Sequence, residues 1–330
     1  MKVTAIANSN IALTKYWGKR DKKMMLPFAG SVSMTLDSMF TKTTVEFDSK
    51  YDRDIFVLNG KELKDGEEYE EVVDHLNLIR EMAKVKEHAR VVSENNFPTA
   101  AGLASSASGF AALSLAGSKA AGLNLDERGL SILSRRGSGS ASRSIAGGFV
   151  HWHRGEKEDG SDSFAEQIAS PDHWDIRMVV AVTTKAEKKI KSRAGMAQSV
   201  DNCPYYSQWV KECEKDIENV KKAVRKKDFK LLGKTAEMNC LKMHAVMMTT
   251  SPPIIYWTPS TIEVVTAVLS WREEGLECYF TIDGGPQVKI ICQGKDAEEI
   301  ERRLKNMGVA KETHICKIGG PAKVVEDHLF

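Results

Sequence analysis

The chain has 330 residues, of which 42% are hydrophobic and 28% charged, and its formal net charge at pH 7 is +2. This composition is typical of a soluble globular protein and excludes a collagen-like, disordered or disulfide-stapled chain. No apolar run approaches the ~18 residues that a membrane-spanning helix needs, and so small a net charge does not indicate nucleic-acid binding.

The first half of the chain predicts strands alternating with helices. Strands are expected at 3–7, 41–47, 89–93, 148–154 and 176–183. Helices are expected at 67–84, 105–121 and 126–136. The second of these helices is rich in Ala, Leu and Ser, so it should pack closely on its neighbours.

The second half predicts long helices followed by a smaller sheet. Helical spacing of apolar residues covers 205–227, 228–248, 260–274 and 297–307, and strands are expected at 277–282, 287–292 and 313–318. Helices on an antiparallel or mixed sheet predict an α+β protein with two lobes that divide near residue 180. The sequence has neither a Rossmann glycine motif after a strand nor a Walker motif, which disfavours both of those folds.

The segment Pro98 to Ser108 (PTAAGLASSAS) lies directly before the Ala-rich helix. Free backbone N–H groups and the helix dipole make a helix start attractive to anions, and glycine lets a phosphate approach the backbone. Serine hydroxyls can add hydrogen bonds or coordinate Mg²⁺. The same residues also fit an ordinary helix start with Ser105 as the N-cap, so both interpretations stay open.

A second glycine- and serine-rich segment, RRGSGSASRS, covers residues 135–144. It offers many N–H and O–H donors between cationic side chains, and Arg143 can form two hydrogen bonds with a carboxylate or a phosphate. A flexible surface linker is the alternative, although Ile145, Phe149 and Val150 should tether the segment to the core.

Charged residues also stand where an apolar environment is expected. Asp283 ends an apolar strand and precedes a glycine. An Asp-Gly pair by itself indicates only a hairpin turn. Because the chain also has anion-binding segments, Asp283 is in addition a candidate base or a candidate partner for developing positive charge. Lys15, in IALTKYWGKR, is predicted to be half buried in a strand, where an ammonium group needs an anion. Cations recur at Lys188, Lys189 and Arg193.

These segments together predict a site for phosphorylated small molecules. A net charge of +2 spread over the surface cannot hold several phosphates, whereas cations assembled in one cleft can. Each close charge pair contributes on the order of 4 kcal/mol at an effective dielectric of 20, before desolvation costs. A nucleic-acid surface would rest only on lysine clusters that no aromatic residues accompany.

Five segments closely resemble the diphosphomevalonate decarboxylase family of the GHMP kinase superfamily. They are NIALTKYWGKR, NNFPTAAGLASSASG, RRGSGSASRSIAGG, the KKxxSRAGM run at 188–196, and TIDGGP. They occur in the family's order and spread over nearly the whole chain. KYWGK with GSGSASRS is specific for the family, whereas GLASSAS alone would indicate only the superfamily.

The resemblance implies a GHMP kinase fold, with a ribosomal-protein-S5-like N-terminal lobe, a ferredoxin-like C-terminal lobe and the site in the cleft between them. We expect domains at 1–184 and 185–330. The implied reaction uses ATP and Mg²⁺ to phosphorylate the 3-hydroxyl of mevalonate 5-diphosphate. Loss of that phosphate with CO₂ then gives isopentenyl diphosphate. Relatives are commonly homodimers, so a cytoplasmic homodimer is expected.

The resemblance also implies roles for individual residues. It implies that Asp283 orients or deprotonates the 3-hydroxyl, that Lys15 lies beside the reacting groups, and that Arg143 holds the substrate carboxylate. Further substrate-binding positions are implied at Tyr16, Trp17, Gly18, Lys19, Ser138, Gly139, Ser140, Ala141, Ser142 and Arg193. ATP-binding positions are implied at Gly102, Leu103, Ala104, Ser105, Ser106, Ala107, Ser108, Lys188 and Lys189, with Ser106 as a Mg²⁺ ligand.

Three departures from the family pattern keep alternatives open. DGGPQ replaces the usual DAGPN at 283–287, Lys191 replaces a serine, and the early helix begins with acidic residues where some members carry a basic one. A 5-monophosphate decarboxylase, a mevalonate 3-kinase and a non-catalytic nucleotide- or phosphate-binding relative are the alternatives. His244 is expected to be structural, and the six separated cysteines are expected to be reduced thiols.

Overall fold

A computed structural model describes residues 1–97, 105–184, 186 and 188–330. Its strands are β1 (Lys2–Ala12), β2 (Lys19–Asp21), β3 (Leu26–Pro27), β4 (Ser31–Phe47), β5 (Ile55–Leu58), β6 (Lys61–Leu63), β7 (Ala89–Asn95), β8 (Phe149–Trp152), β9 (Ala165–Ala169), β10 (Ile176–Val182), β11 (Tyr279–Thr281), β12 (Val288–Gln293), β13 (Glu312–Cys316) and β14 (Lys323–Val325). Its α-helices are α1 (Glu67–Ala83), α2 (Ser105–Ala120), α3 (Glu127–Gly137), α4 (Ser192–Asn202), α5 (Tyr206–Lys226), α6 (Phe229–Met248), α7 (Pro259–Glu273) and α8 (Ala297–Met307).

The first sheet is mixed and carries α2 against its central strands. Its order is β14-β1-β4-β7-β5-β6, and β8 with β9 extends from the first part of the long strand β4. All described pairs are antiparallel except β5 with β7. Small residues of α2 such as Ala111 and Ala116 pack on Val45 and Val91 of the sheet, so the Ala-rich sequence allows the helix to lie close.

The second sheet is antiparallel, with the order β11-β12-β10-β13. Strand β10 therefore belongs to this sheet, although the predicted division at residues 184/185 assigns it to the first domain. In the other direction, β14 from the end of the chain pairs with β1 of the first sheet. The chain crosses between the lobes again after β13, so a single cut in the sequence does not separate them.

One of the buried apolar clusters spans both lobes. Ile11 and Met34 of the first sheet belong to the same buried cluster as Met178 and Ile291 of the second sheet, together with Ile217 of α5. Burial of such side chains contributes about 1.5–3 kcal/mol each relative to exposure, so this cluster holds the lobes together.

Local capping explains where several helices begin. The Asp126 side chain accepts a hydrogen bond from the Gly129 N–H at the start of α3. The Asp228 side chain does the same for Leu231 in α6, and Thr258 begins α7 with a capping box. These oxygens satisfy N–H groups that have no partner within the helix.

Each predicted helix and strand has a counterpart of the same type in the structure. One expectation about local conformation differs, because Lys15 follows the end of β1 and is fully rather than half buried. Residues 139–144 form a short, mostly buried 3₁₀-helix, which excludes the flexible linker that was one of the two alternatives for this segment. Within the described ranges, no helix is both long enough and apolar enough to cross a bilayer.

Candidate functional site

The lobes meet around a cavity of about 380 Å³. Many of the residues singled out from the sequence line it: Lys15, Tyr16, Trp17, Lys19, Ser105, Ser106, Ser138, Gly139, Ser140, Arg143, Lys188, Arg193 and Asp283. Segments up to 268 positions apart in the chain therefore meet at one place, as the hydrogen bond between Lys15 and Asp283 illustrates.

Asp283 lies between two buried lysines at the deep end of this cavity. The Lys15 Nζ donates a hydrogen bond to one carboxylate oxygen at 2.8 Å, and the Lys289 Nζ lies 3.5 Å from the other. Burial alone would raise the pKa of the Asp283 carboxyl, but the charges of Lys15 and Lys289 outweigh that effect and hold the pKa well below its usual range. Asp283 is therefore a carboxylate at neutral pH.

Lys289 was not among the predicted site residues. It lies in the apolar strand β12 and is fully buried. The sequence did contain a signal, because a lysine inside the run VKIIC, six residues after an aspartate across a tight turn, has an obvious partner of opposite charge.

The position of Lys15 is fixed from the second lobe. Its backbone N–H donates to the Asn239 side chain at 2.7 Å, and Asn239 in turn donates to Asp216 at 2.7 Å. Its Nζ also donates to the Ala12 carbonyl oxygen at 2.7 Å. Helices α5 and α6 thus hold in place the ammonium group that pairs with Asp283.

His244 supports the strand end that carries Asp283. Its Nε2 lies 3.4 Å from the Ile282 carbonyl oxygen, and its ring packs beside Trp257. Burial, followed by the nearby charge of Lys15, lowers the pKa of His244 to about 3, so the ring is neutral at physiological pH. These contacts agree with the structural role expected from the sequence.

Arg143 extends from the 3₁₀-helix and is buried in the cavity wall. Its Nε donates to the Asn10 side chain at 3.0 Å, and one terminal nitrogen donates to the Ser31 hydroxyl at 2.7 Å. Burial lowers the pKa of Arg143 to about 10, while the charge of Asp283 partly opposes that shift, so the guanidinium is protonated at neutral pH. A buried cation in this position suits an anionic ligand group.

Tyr16 presents a hydroxyl to the same wall. The hydroxyl is buried without a hydrogen-bond partner in the described part of the chain, and the ring meets Trp152 edge-on. A side chain at position 139 would come within 2.8 Å of this hydroxyl, so Gly139 keeps the space beside it open. An unsatisfied buried donor is costly, and a ligand oxygen would satisfy it.

Carboxylates of α1 face the cations of α4 across the mouth of the cavity. Glu71 pairs with Arg193, and Glu67 pairs with Lys191. Arg193 also donates to the Gly137 carbonyl oxygen at 2.9 Å. The acidic helix start noted in the sequence therefore contacts Arg193, which was expected to bind phosphate, and Lys191, which departs from the family pattern.

Ser105 and Ser106 place two hydroxyl groups in the first turn of α2, where both residues line the cavity. Serine hydroxyls and unpaired N–H groups at a helix start fit phosphate oxygens, and a hydroxyl is an oxygen ligand of the kind that Mg²⁺ takes. A smaller cavity of about 150 Å³ adjoins the same two serines and has apolar walls at Phe56, Leu58 and Phe110.

The structure distinguishes Lys188 from Lys189. Lys188 lines the cavity, donates to the Ser192 hydroxyl at 3.1 Å and lies beside the Tyr256 ring, whereas Lys189 is exposed outside the lining. Burial lowers the pKa of Lys188, and the charge of Asp283 acts in the opposite direction.

Gln287, which stands where the family pattern has asparagine, has a structural role. It accepts a hydrogen bond from the Thr183 N–H at 2.6 Å and also donates to the Thr184 carbonyl oxygen. These contacts tie the end of β10 to the turn that follows Asp283.

Several predicted residues lie outside the cavity lining, and packing explains why. Gly18 has φ +106, and a Cβ there would meet the Tyr206 hydroxyl at 1.8 Å, so it serves a turn. Four others are buried in the fold: Ala107, Ser108, Ala141 and Ser142. The Ser142 hydroxyl donates to the Gly139 carbonyl oxygen, and the Ser108 hydroxyl is hydrogen-bonded to the Thr41 hydroxyl. The predicted positions Gly102, Leu103 and Ala104 lie outside the described residues.

Two family models match the chain. The diphosphomevalonate decarboxylase-like N-terminal domain matches residues 7–165, and the mevalonate 5-diphosphate decarboxylase C-terminal domain matches residues 178–326. One similar solved structure is described as MDDEF in complex with MVAPP, AMPPCP and magnesium. It has a TM-score of 0.93 and 40% identity, with 99% of each chain covered.

Curated relatives include enzymes with two related activities. The diphosphomevalonate decarboxylase of Ganoderma lucidum is 35% identical over 91% of this chain and 80% of its own length. The phosphomevalonate decarboxylase of Haloferax volcanii is 33% identical over 99% of this chain and 98% of its own length.

Proposed function

Since the chain belongs to the diphosphomevalonate decarboxylase family and has its GHMP kinase fold, we propose that it decarboxylates mevalonate 5-diphosphate to isopentenyl diphosphate at the expense of ATP. The observation that carries the proposal is the carboxylate of Asp283 between Lys15 and Lys289, in one cavity with the buried Arg143. We also propose that the chain works as a cytoplasmic homodimer.

The lysine pair gives Asp283 a specific role. A carboxylate with a strongly lowered pKa is a weak base, so Asp283 first orients the 3-hydroxyl by accepting its hydrogen bond. It takes the hydroxyl proton only as the bond from that oxygen to the γ-phosphorus of ATP forms and acidifies it, and its low pKa then returns the proton to water. When the phosphorylated oxygen leaves, positive charge develops at C3, and the nearby carboxylate stabilises that charge. Lys15 keeps the carboxylate in place through its 2.8 Å hydrogen bond.

Other residues of the cavity bind the two charged ends of the substrate. Arg143 holds the substrate carboxylate through its planar guanidinium, so that the C–CO₂ bond is positioned for cleavage. Tyr16, Lys19, Ser138, Ser140 and Arg193 hold the phosphate end with hydrogen bonds and charge. The buried Tyr16 hydroxyl, which lacks a partner in the described residues, supports this assignment.

Ser105, Ser106 and Lys188 form the nucleotide side of the cavity. Bound Mg²⁺ would be held with Ser106 and would neutralise charge on the phosphates of ATP. The adjoining cavity with apolar walls at Phe56 and Leu58 has the character of a nucleobase site.

A coupled assay tests the proposed reaction. The protein is incubated with Mg-ATP and mevalonate 5-diphosphate while ADP and CO₂ are measured together. We expect equal amounts of both products. ADP without CO₂ would identify a 3-kinase, and ATP binding without either product would identify a non-catalytic relative.

One observation favours a second candidate, the decarboxylation of mevalonate 5-monophosphate. At the cavity mouth Glu71 forms an ion pair with Arg193, and Glu67 forms one with Lys191. The second phosphate of a 5-diphosphate would therefore be repelled by these carboxylates. The relative from Haloferax volcanii carries the name of that activity. Direct competition between the 5-phosphate and the 5-diphosphate distinguishes the candidates, because the substrate with the higher kcat/KM is consumed first from a mixture of the two.

The Glu71→Gln variant is expected to bind the 5-diphosphate more tightly. Removing the carboxylate frees Arg193 for the ligand, and a partly exposed ion pair is worth up to about 1 kcal/mol, so the KM should fall by about two- to fivefold. The KM for the 5-monophosphate should change less. Glu70→Gln, an exposed change outside the cavity lining on the same helix, is the control, and an increased KM in Glu71→Gln would contradict the prediction.

Substrate binding is expected to weaken above about pH 8. Burial, followed by the charge of Arg193, lowers the pKa of Lys19 to about 8. The ammonium form, which attracts phosphate, is therefore present below that pH and is lost as pH rises through it. The KM should rise on the alkaline side in the parent protein but stay flatter in Lys19→Arg, because guanidinium remains charged. The exposed Lys22→Arg change should leave the parent profile unaltered.

A further inference from the structure

A second cavity, of about 590 Å³, lies outside the substrate site. His151 and His153 line it, and none of its lining residues lines the substrate cavity. Side chains alternate along a strand, so His151 projects from the face of β8 opposite to Trp152, whose ring meets Tyr16. His153 directly follows the last residue of β8. This cavity has no part in the mechanism above.

Three potential metal ligands converge beside this cavity, two of them on its wall. One ring nitrogen from each of His151 and His153 and one carboxylate oxygen of Glu166 lie within 4.8 Å of one another. The pairing of β8 with β9 sets this arrangement, because His151 is directly opposite Glu166. The His153 Nε2 and the Glu166 carboxylate are 2.8 Å apart, and the two imidazole rings have centroids 4.1 Å apart.

His151 provides an independent indication of a ligand. The residue is only 7% exposed, and its Nδ1 is buried without a hydrogen-bond partner among the described residues. Native proteins rarely leave a buried polar atom unsatisfied, because the atom has lost its water without compensation. An ion bound through Nδ1 would give that nitrogen a partner.

The surrounding charge also favours a cation. Carboxylates of Glu156, Asp162 and Glu214 line the cavity beside one arginine, Arg154. Arg154 has a partner in Glu156 at 3.5 Å. On the facing helix α5, Lys221 pairs with Glu218 at 2.7 Å.

We propose that His151, His153 and Glu166 bind a divalent transition-metal ion, and that Zn²⁺ fits this set best. Imidazole nitrogen combined with a carboxylate oxygen is a ligand set of zinc, whereas Mg²⁺ and Ca²⁺ prefer oxygen alone. Ligand atoms around tetrahedral zinc lie about 3.4 Å apart, so the three side chains must approach by up to roughly 1.5 Å. His153 and Glu166 are 34% and 51% exposed and have room to do so.

The ion would join β8 to β9 behind the wall that carries Trp152 and Tyr16. It is separate from the Mg²⁺ that accompanies ATP, and the proposal does not depend on the reaction assigned above. Its expected effect is on metal binding and thermal stability.

Metal titration of the full chain tests the proposal. The protein is dialysed against a chelator and then titrated with Zn²⁺ in a calorimeter, and with Co²⁺ by visible absorption, which reports on nitrogen ligation. We expect one ion per chain. Loss of a direct ligand should cost at least as much as loss of a supporting residue, so His153→Ala and Glu166→Gln should each weaken binding by at least about tenfold.

His314→Ala is the matched control, because His314 also lies beside a carboxylate, 3.6 Å from Glu312, but lies outside the cluster. It should bind zinc like the parent. Zinc should also raise the Tm of the parent and of His314→Ala but not that of His153→Ala. Both test variants change partly exposed residues, so the fold should survive. Failure of the parent to bind zinc, or equal binding by His153→Ala and His314→Ala, would overturn the proposal.

Discussion

Replacing Asp283 by asparagine is expected to lower kcat by ~10²–10⁴ while the substrate still binds. That loss corresponds to about 3–5 kcal/mol on the activation barrier. Asparagine keeps the shape of the side chain but removes the charge that lies between Lys15 and Lys289 and that would face developing positive charge at C3. Steady-state kinetics with separate measurement of substrate affinity provide the readout.

The same change removes a carboxylate that two buried ammonium groups share, so the variant should also be less stable. Breaking a fully buried pair costs about 3–5 kcal/mol. We expect less here, because a quarter (25%) of the Asp283 side chain is accessible from the cavity. Kinetics must therefore be normalised to folded protein.

A double variant separates catalysis from stability. Adding Lys289→Met to Asp283→Asn removes one of the two buried cations beside position 283, so the Tm should recover in part while kcat stays low. If the double variant recovered activity together with stability, the loss in Asp283→Asn would reflect misfolding, and the proposed role of Asp283 would be wrong.

The second large effect is expected for Arg143→Lys. The guanidinium bonds to Asn10 and Ser31 through different nitrogens, which fixes its plane in the cavity wall. Lysine keeps the charge but loses both this fixed orientation and the paired hydrogen bonds to a carboxylate. We expect kcat/KM to fall by about 10²-fold, near 3 kcal/mol, which lies within the range for disrupting a buried, hydrogen-bonded charge pair.

Arg135→Lys is the control for that result. Arg135 belongs to the same segment and is fully buried, but it donates hydrogen bonds to the carbonyl oxygens of Gly160 and Ser163 rather than lining the cavity. Its replacement should lower the Tm and leave the KM unchanged. Equal kinetic losses in both variants would indicate that Arg143 acts through folding alone.

The difference between these two arginines shows where sequence reasoning reached its limit. The RRGSGSASRS pattern and the family resemblance singled out Arg143 for an anionic ligand, yet the pattern could not show how the chain separates the two arginines. That depends on the 3₁₀-helix at 139–144, which directs Arg143 to the cavity and leaves Arg135 against the loop at 160–163.

Helices were predicted well because their signal is local. Apolar spacing and caps set the bounds of α1, α3 and α8 within a few neighbouring residues. By contrast, β14 has an exposed, short sequence whose strand conformation depends on pairing with β1, more than three hundred residues earlier. Helix α4 has a weak amphipathic pattern, and its one cation, Arg193, was recognised although the helix that positions it was not predicted.

The shared core around Ile11 and Met178 has a consequence for how the protein melts. Opening either lobe would expose apolar side chains of the other, so heat should disrupt both together in one cooperative transition. Neither half of the chain, expressed alone, would keep its native packing. When the two halves are mixed, they should fold only by forming this shared buried cluster together.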